Sequence, residues 1–309
     1  MNNKFIDLFA GIGGFHVALH DEKTECVFAS ENDIFCRKTY FENFKNISPD
    51  LFINNQFNDD ILKADPELIP DHEILCAGFP CQPFSQAGYK RGFNEDLENR
   101  GNMFFVIRDI IKAKRPDAIF LENVRHLLNH DGGRTFNIIQ EILEEELDYK
   151  IYYKIVKASD YGLPQHRPRV FIIGFPKEHE YPYPFQFPDP VELEFNMSDI
   201  FGGECTREIG FTVRVGGRGS GIDDRRNWDA YIVNNKVVRL GVDEGKALMG
   251  LPKNFIFPVS DTQAMKQLGN SVAVNAVRMV GNQIKEYLSK RGHKPVFTID
   301  KKTNMIIIA

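Results

Sequence analysis

Short apolar runs alternate with amphipathic stretches along the first 177 residues of the chain. Apolar runs bounded by turn residues are typical of buried strands, whereas apolar residues spaced three and four apart are typical of helices. The runs predict strands at residues 4–9, 25–30, 73–77, 118–121, 151–156 and 169–174. The periodic stretches predict helices at residues 15–20, 33–44, 103–114 and 135–147. This alternation predicts an α/β fold, a mostly parallel, doubly wound sheet with helices on both faces.

The alternation breaks at about residue 176. Several prolines are followed by residues 202–231, which are rich in Gly, Arg and Asp, and helical periodicity returns only at residues 262–288. Clustered prolines and glycines are typical of linkers and loops. We predict a large domain over residues 1–177, a small irregular domain over residues 178–258, and a C-terminal helix within residues 259–309 that returns to the large domain.

Composition narrows the class of protein. The chain has 309 residues, 42% of them hydrophobic, so a packed globular core is expected. No apolar run approaches the roughly 18 residues of a membrane span, and the first residues do not form a signal peptide. The five cysteines are sparse and include no CxxC pair. This spacing argues against disulfides and against a metal site, and it favours reduced thiols in the cytoplasm.

Charge is unevenly distributed along the chain. The formal net charge is −5, which taken alone argues against a nucleic-acid partner. Residues 205–239, however, contain seven basic and four acidic side chains. A local basic region on an acidic body is compatible with a docking face, because salt screens charges farther apart than about 10 Å.

A glycine-rich turn at residues 10–14 joins the first predicted strand to the first predicted helix. Glycines let backbone amides approach a ligand closely, and a helix N-terminus carries partial positive charge. Glu31 ends the second predicted strand, where an acid can bind ribose hydroxyls. The turn is not a GxGxxG motif, so a ligand with one ribose is favoured over a dinucleotide. A tight turn without a ligand is the alternative.

A proline-flanked loop carries Cys81 directly after an apolar strand. Sites in open α/β sheets form at the carboxyl ends of strands, where a cysteine can act as a nucleophile. Cys76 lies inside the strand and is predicted to be a packing residue. Glu122 ends a later strand at the same edge of the sheet, which would pair an acid–base group with the nucleophile. Arg167 and Arg169 lie at the start of another predicted core strand. Basic residues in such a position are usually on the surface, but at least one of these two could point into the site.

Five segments carry a resemblance to a known family. They are Phe9-Ala10-Gly11-Ile12-Gly13-Gly14, Gly78-Phe79-Pro80-Cys81-Gln82, Glu122-Asn123-Val124, Gln165-His166-Arg167-Pro168-Arg169 and Gln267-Leu268-Gly269-Asn270-Ser271-Val272. Their residues, order and approximate spacing resemble the DNA (cytosine-5)-methyltransferases of bacterial restriction-modification systems. The resemblance covers nearly the whole chain except about residues 176–236. It implies a Rossmann-like methyltransferase sheet with a small target-recognition domain.

The resemblance implies S-adenosylmethionine as the methyl donor. The residues that would line its site are Phe9, Gly11, Ile12, Gly14, Glu31, Asn32, Asp60, Ile61, Pro80, Asn270 and Ser271. Among them, Glu31 would bind the ribose and Asp60 the adenine. Asn32 stands where the family usually has an aromatic residue that stacks on the adenine. Either another ring such as Phe79 takes over part of this contact, or the affinity for the donor is lower.

The resemblance also implies covalent catalysis on DNA. Cys81 would attack carbon 6 of a cytosine that has been flipped out of a duplex. A protonated Glu122, its pKa raised by burial, would bind the N3 and N4 edge of the base. Arg167 and Arg169 would orient the base, and the loop of residues 85–101 would close over it.

The small domain would read the DNA sequence. The residues predicted to contact DNA are Ser85, Arg91, Arg100, Thr212, Arg218, Arg225 and Arg226. Arginine is the usual reader of guanine, although half or more of protein–DNA hydrogen bonds go to the backbone. A further departure is Ala247, which stands where the family usually has an arginine that helps to organise this domain.

Duplex DNA is the predicted partner of a monomeric enzyme, accompanied by a cognate restriction endonuclease that it does not contact. Three alternatives are a tRNA cytosine-5 methyltransferase, a catalytically inactive relative that binds DNA, and a dinucleotide oxidoreductase. The presence of both Cys81 and Glu122 argues against the second alternative. The nucleophile loop has no place in the third.

Overall fold

A seven-stranded sheet organises the computed structural model, which describes residues 3–80 and 103–292 and the backbones of residues 297–299 and 306–308. The strands of the chain are β1 (Asn3–Leu8), β2 (Thr24–Ser30), β3 (Phe57–Asn58), β4 (Ile74–Gly78), β5 (Ala118–Val124), β6 (Tyr149–Lys157), β7 (Pro168–Pro176), β8 (Ala230–Val233), β9 (Lys236–Arg239), β10 (Phe297–Ile299) and β11 (Ile306–Ile308). The order in the large sheet is β3-β2-β1-β4-β5-β7-β6. Strands β1 to β5 are parallel, and β7 runs antiparallel to β5 and β6. The predicted mostly parallel α/β sheet is confirmed.

Helices cover both faces of this sheet. They are α1 (Gly14–Leu19), α2 (Ile34–Phe44), α3 (Asp50–Ile53), α4 (Met103–Lys114), α5 (Arg134–Glu141), α6 (Met197–Phe201), α7 (Val242–Met249), α8 (Asp261–Asn270) and α9 (Val274–Ser289). Alternate side chains of a strand point to opposite faces. Phe5 of β1 therefore packs with α1, α2 and α9, whereas Ile6 and Leu8 pack with α4 and α5. The sheet is doubly wound, as predicted, and its strand order reverses between β1 and β4, where such folds bind ligands.

Two predicted helices differ from those in the structure. The helix predicted at residues 135–147 ends at Glu141 and continues as one π-helical turn, Ile142–Glu146. The prediction of a single C-terminal helix is wrong, because extended backbone between residues 271 and 273 separates α8 from α9. Apolar periodicity continues through this break and hides it. Helix α9 packs against α1 so closely that a β-carbon at Gly281 would clash with Leu19.

The small region, residues 178–258, contains an antiparallel hairpin of β8 and β9. Its two-residue turn is Asn234-Asn235, and both residues have positive φ, as a type I′ turn requires. Val213, Trp228 and Leu240 lie in the same buried cluster as the side chains on the α1 face of the sheet. The domain boundaries at residues 177 and 258 therefore stay a prediction. Among the helices that the structure describes, none is long and apolar enough to cross a membrane.

Candidate active site

The glycine turn and Glu31 meet at the carboxyl ends of β1 and β2. Phe9, Gly11 and Gly13 all have positive φ, which turns the chain sharply from β1 into α1. The N–H of Gly11 donates to Glu31 Oε2 at 2.8 Å, and the N–H of Asp33 donates to Glu31 Oε1 at 2.7 Å. Burial raises the pKa of Glu31, and these two donors oppose that rise. The carboxylate is thus held beside the turn, as the sequence predicted for a ribose ligand.

The end of β3 brings Asp60 to the same edge. The N–H of Glu31 donates to Asn58 O at 3.1 Å, and Asn58 Oδ1 accepts the N–H of Asp60 at 2.8 Å. Asp60 caps the short turn that begins at Ile61, which is buried. Asn32 is exposed directly after β2. These hydrogen bonds join the ends of β2 and β3 into one continuous edge.

Ser271 approaches this edge from the break between α8 and α9. A β-carbon at Gly14 would lie 3.0 Å from Ser271 Oγ, so the two residues are in contact. The Ser271 hydroxyl is buried and has no hydrogen-bond partner among the described residues. A β-carbon at Gly11 would meet nothing within 4 Å. An open position over the turn, an unpaired hydroxyl and two carboxylates at strand ends fit a ligand that carries ribose hydroxyls and a base.

Glu122 lies opposite Gly78 across the pair of β4 and β5. Arg169 Nε is 3.0 Å from Glu122 Oε1, and a β-carbon at Gly78 would lie 3.7 Å from Glu122 Oε2. One carboxyl oxygen therefore faces the arginine and the other faces the end of β4. Asn123 Nδ2 donates to Phe79 O at 2.8 Å and fixes the start of the loop that follows β4.

The structure describes Phe79 and Pro80, which begin this loop, but not the residues that follow them. Phe79 is buried and its ring packs against Phe104, whereas Pro80 is exposed. Cys81 follows Pro80 in the chain and lies outside the described residues. The predicted DNA contacts Ser85, Arg91 and Arg100 also lie outside them. Cys76, within β4, is fully buried and its pKa is raised by burial, which confirms its prediction as a packing residue.

The electrostatics of Glu122 follow from its burial. The residue is only 8% exposed, and burial raises its pKa above the ordinary value. The positive charges of Arg169 and Arg167 act in the opposite direction but do not cancel the rise. The predicted direction is confirmed. A carboxyl whose pKa is raised in this way holds its proton to a higher pH than an exposed glutamate does.

Arg167 has a different environment from the one predicted for it. Its guanidinium is buried and donates to Val213 O at 3.0 Å, to Gly269 O at 3.1 Å and to Ser271 O. Burial lowers its pKa to about 9, so it stays charged at neutral pH. These three carbonyls come from the small region and from the end of α8. Arg169 is the arginine beside Glu122, and the hydrogen bonds of Arg167 suit a supporting role better than contact with a base.

Comparison with known proteins identifies the family. The profile of the family described as C-5 cytosine-specific DNA methylase matches residues 3–210 and 203–286. The chain belongs to this family. It is thus a DNA (cytosine-5)-methyltransferase, whose substrates are a methyl donor and DNA.

The relatives of this methyltransferase place it with restriction-modification enzymes. It is 40% identical to the type II methyltransferase M.SsoII of Shigella sonnei over 317 residues, which cover 91% of this chain and 79% of the relative. It is 33% identical to the type II methyltransferase M.HhaI of Haemophilus parahaemolyticus over 320 residues, 91% of this chain and 94% of the relative. These relatives do not favour the tRNA alternative.

Two solved structures show the same fold. A mutant of Spodoptera frugiperda DNMT2 superimposes with a TM-score of 0.70 at 18% identity, covering 93% of this chain and 99% of that one. A putative DNA modification methyltransferase encoded within an E. coli prophage superimposes with a TM-score of 0.69, also at 18% identity and with the same coverage. The doubly wound sheet is therefore a methyltransferase fold.

The small region of the methyltransferase contacts the segment between Gln165 and Arg169. The Thr212 hydroxyl donates to His166 O, and the Gln165 side chain accepts from Val213 N at 3.0 Å and donates to Leu248 O at 2.8 Å. These bonds cross between regions that are distant in sequence. Sequence patterns did not reveal them, because a buried glutamine looks like any polar residue in a loop.

The three arginines predicted to contact DNA from the small region are on the surface. Arg218, Arg225 and Arg226 are exposed, and Arg226 forms an ion pair of 2.7 Å with Asp224. Asp229 was not among the predicted site residues, yet it is fully buried and pairs with Arg239 at 3.0 Å. The one feature of the sequence that points to its burial is its position directly between Trp228 and the apolar run of β8.

Proposed function

We propose that the methyltransferase moves a methyl group from S-adenosylmethionine to carbon 5 of a cytosine flipped out of a specific short duplex DNA sequence. The transfer passes through a covalent bond between Cys81 Sγ and carbon 6. The observation that carries the proposal is the buried Glu122–Arg169 pair. It lies at the edge of the sheet where β4 ends, three residues before Cys81 in the chain. A carboxyl whose pKa is raised by burial, beside a fixed guanidinium, is suited to hold the polar edge of a pyrimidine.

The ends of β1, β2 and β3 would hold the methyl donor. Glu31 would bind its ribose hydroxyls, Asp60 its adenine, and the Ser271 hydroxyl would find its missing partner there. The remaining predicted contacts are Phe9, Gly11, Ile12, Gly14, Asn32, Ile61, Pro80 and Asn270. S-adenosylmethionine, when bound, supplies an electrophilic methyl group on a sulfonium sulfur.

The chemistry would begin at Cys81, because carbon 5 of cytosine is a poor nucleophile. The thiolate electron pair forms a bond to carbon 6, which breaks the double bond between carbons 5 and 6 and makes carbon 5 enamine-like. Glu122 Oε2, the oxygen turned away from Arg169, donates a proton toward N3 as negative charge develops there. Carbon 5 then takes the methyl group from the sulfonium, and the electron pair of the broken carbon–sulfur bond stays on the sulfur of S-adenosylhomocysteine. Carbon 5 loses its own proton to water, and N3 returns its proton to Glu122. The electron pair of that C–H bond restores the double bond and expels the Cys81 thiolate.

Arg169 would support this chemistry through its charge. It holds Glu122 Oε1, and its guanidinium favours the thiolate form of a nearby cysteine. Base flipping makes carbon 6 accessible, and the loop of residues 85–101 would close over the extruded base. The enzyme would act as a monomer on cytoplasmic DNA, without contact to a cognate restriction endonuclease.

A covalent trap tests the proposal directly. The probe is a PCR-amplified DNA library in which 5-fluorocytosine replaces cytosine, because fluorine at carbon 5 cannot leave as a proton does. With S-adenosylmethionine, the wild-type protein should form a denaturation-resistant DNA adduct, and peptide mapping should locate it at Cys81. The Cys81→Ala variant should form no adduct and transfer no methyl group, yet still be stabilised against heat by S-adenosylhomocysteine.

The matched control is Cys76→Ala, which removes a thiol that is buried in β4. This variant should still form the adduct. An adduct formed by Cys81→Ala, or none formed by the wild-type protein, would contradict the covalent mechanism.

A further inference from the structure

The glycine-rich loop of residues 216–221 lies against the base of the β8–β9 hairpin, where one buried carboxylate holds it. Asp229 is fully buried and lies directly before β8. Its two oxygens accept the N–H of Gly219 at 3.3 and 3.2 Å. Both oxygens also accept from Arg239 Nη1 at 3.0 Å. The carboxylate therefore joins the loop to the last residue of β9.

Arg239 completes the attachment from the other side. Its Nη2 donates to Ser220 O at 2.9 Å, one residue beyond the N–H that Asp229 accepts. The ion pair thus contacts two consecutive residues of the loop, one through an N–H and one through a carbonyl. Hydrogen bonds to charged groups are roughly twice as strong as those between neutral groups. This pair is the main tie between the loop and the hairpin.

One tryptophan and two glycines shape the rest of the loop. Trp228 Nε1 donates to Gly216 O at 2.8 Å. Gly217 and Gly219 both have a φ of 85°, and a β-carbon at Gly217 would lie 3.0 Å from Arg226 O. The turn at these two positions therefore favours glycine, whereas β-carbons at Gly216 and Gly221 would meet nothing within 4 Å.

Arg218 is the charged side chain that this loop presents. It is exposed, and among the described residues its guanidinium makes one long hydrogen bond of 3.4 Å, to Leu240 O. Two other arginines nearby are engaged, since Arg226 pairs with Asp224 and Arg214 donates to Arg226 O at 2.6 Å. A pre-organised arginine loses less conformational freedom on binding than one on a mobile loop.

We propose that Asp229 is a positioning residue for sequence specificity, which holds the loop so that Arg218 reads a guanine in the major groove. Arginine binds the O6 and N7 atoms of guanine through two hydrogen bonds, a geometry that a displaced loop would not reproduce. The inference rests on the proposed function, because it assumes that the small region contacts the DNA being methylated.

The test compares two Asp–Arg pairs of the same region by the DNA sequences that become methylated. Wild-type protein, Asp229→Asn, Asp224→Asn and Arg218→Ala are each expressed in a host without cytosine methylation, and the genome is read by bisulfite sequencing. The wild-type protein should methylate one motif. Asp229→Asn should lose roughly tenfold of its discrimination at one base pair of that motif, the loss expected for one misplaced bidentate contact. Asp224→Asn, whose ion pair is exposed, should keep the wild-type motif.

Arg218→Ala should relax the same base pair as Asp229→Asn, which is a result that general destabilisation would not produce. If Asp229→Asn does not fold, Arg239→Lys replaces it, because lysine keeps the charge beside Asp229 but loses the donor to Ser220. That variant should relax the same position to a smaller extent. A pure wild-type motif in Asp229→Asn or in Arg239→Lys overturns the inference and leaves the proposed function intact. Arg218→Ala that weakens all sites equally also overturns it, since that pattern indicates a phosphate contact. Absence of methylation by the wild-type protein would instead refute the proposed function itself.

Discussion

Two carboxylate–arginine pairs in this methyltransferase are built in opposite ways. Glu122 and Arg169 lie on the neighbouring strands β5 and β7, whose ladder of backbone hydrogen bonds places both residues. Asp229 and Arg239 lie where a loop without a ladder meets a hairpin, and their side chains hold the loop in place. At the edge of the large sheet the backbone positions the charges. In the small region the charges position the backbone.

This difference predicts how each pair should respond to substitution. A strand in the middle of a sheet keeps its place through many backbone hydrogen bonds, so changing one side chain there should alter chemistry more than shape. A loop held by one buried carboxylate has few other ties. A change at Asp229 should therefore alter the shape of the loop, and with it recognition, while the sheet and its chemistry stay intact.

Among the substitutions that test this comparison, Glu122→Gln is expected to have the largest effect. An amide cannot pass a proton toward N3, so the rate of methyl transfer should fall about 10²- to 10⁴-fold, the usual contribution of a general acid. The melting temperature should stay close to that of the wild type, because β5 keeps its ladder. Tritium transfer and thermal melts measure the two quantities. Glu145→Gln, at an exposed position, is the control and should change neither.

The pH dependence of Glu122→Gln sharpens the same point. Burial raises the pKa of Glu122, and the protonated form is the active one in our proposal. The wild-type rate should therefore decline as the pH rises through that raised pKa, whereas the glutamine variant should lack this decline. A variant with the rate and the pH profile of the wild type would show that the proton on Glu122 has no part in the reaction.

For Arg167→Met we expect a smaller effect, on the free energy of unfolding and not on the rate of methyl transfer. This change leaves three buried carbonyls without their donor, at a cost of about 1–3 kcal/mol each. The free energy of unfolding should fall by at least about 3 kcal/mol, measured by urea denaturation. Arg278→Met removes an exposed guanidinium with one long bond to Val17 O and should be nearly neutral. Equal stability of the two variants would mean that Arg167 does not join the small region to α8.

The smallest effect is expected for Arg225→Ala. Arg225 is exposed, and the structure shows no ion pair for it among the described residues. We expect it to contact phosphate, so the variant should weaken DNA binding similarly for all sequences and reduce the salt dependence by about one unit of slope. Arg291→Ala is the control, because Arg291 pairs with Asp117 at the opposite end of β5 from Glu122. A changed methylation motif in Arg225→Ala would make it a base reader.

Sequence patterns predicted much of the large sheet because their signals are local. The apolar stripe of α4 has the bounds that were predicted, Met103–Lys114, and the apolar runs located β1, β2, β4 and β5 to within a few residues. Glu31 and Glu122 were placed at the correct edge by one rule, that parallel strands end on the same side. The break at Ser271 was not predicted, since apolar residues continue through it with helical spacing.

The doubly wound sheet, the family, and the edge where Glu31 and Glu122 gather could be predicted from the sequence, because each follows from neighbours a few positions apart or from motifs. The different surroundings of Arg167 and Arg169 became visible only in the folded chain. Arg167 reaches carbonyls 46 to 104 residues away, and no local pattern encodes such partners. The burial and the partners of Asp229 likewise depend on the fold, because Gly219 and Arg239 surround this acid only in the folded chain.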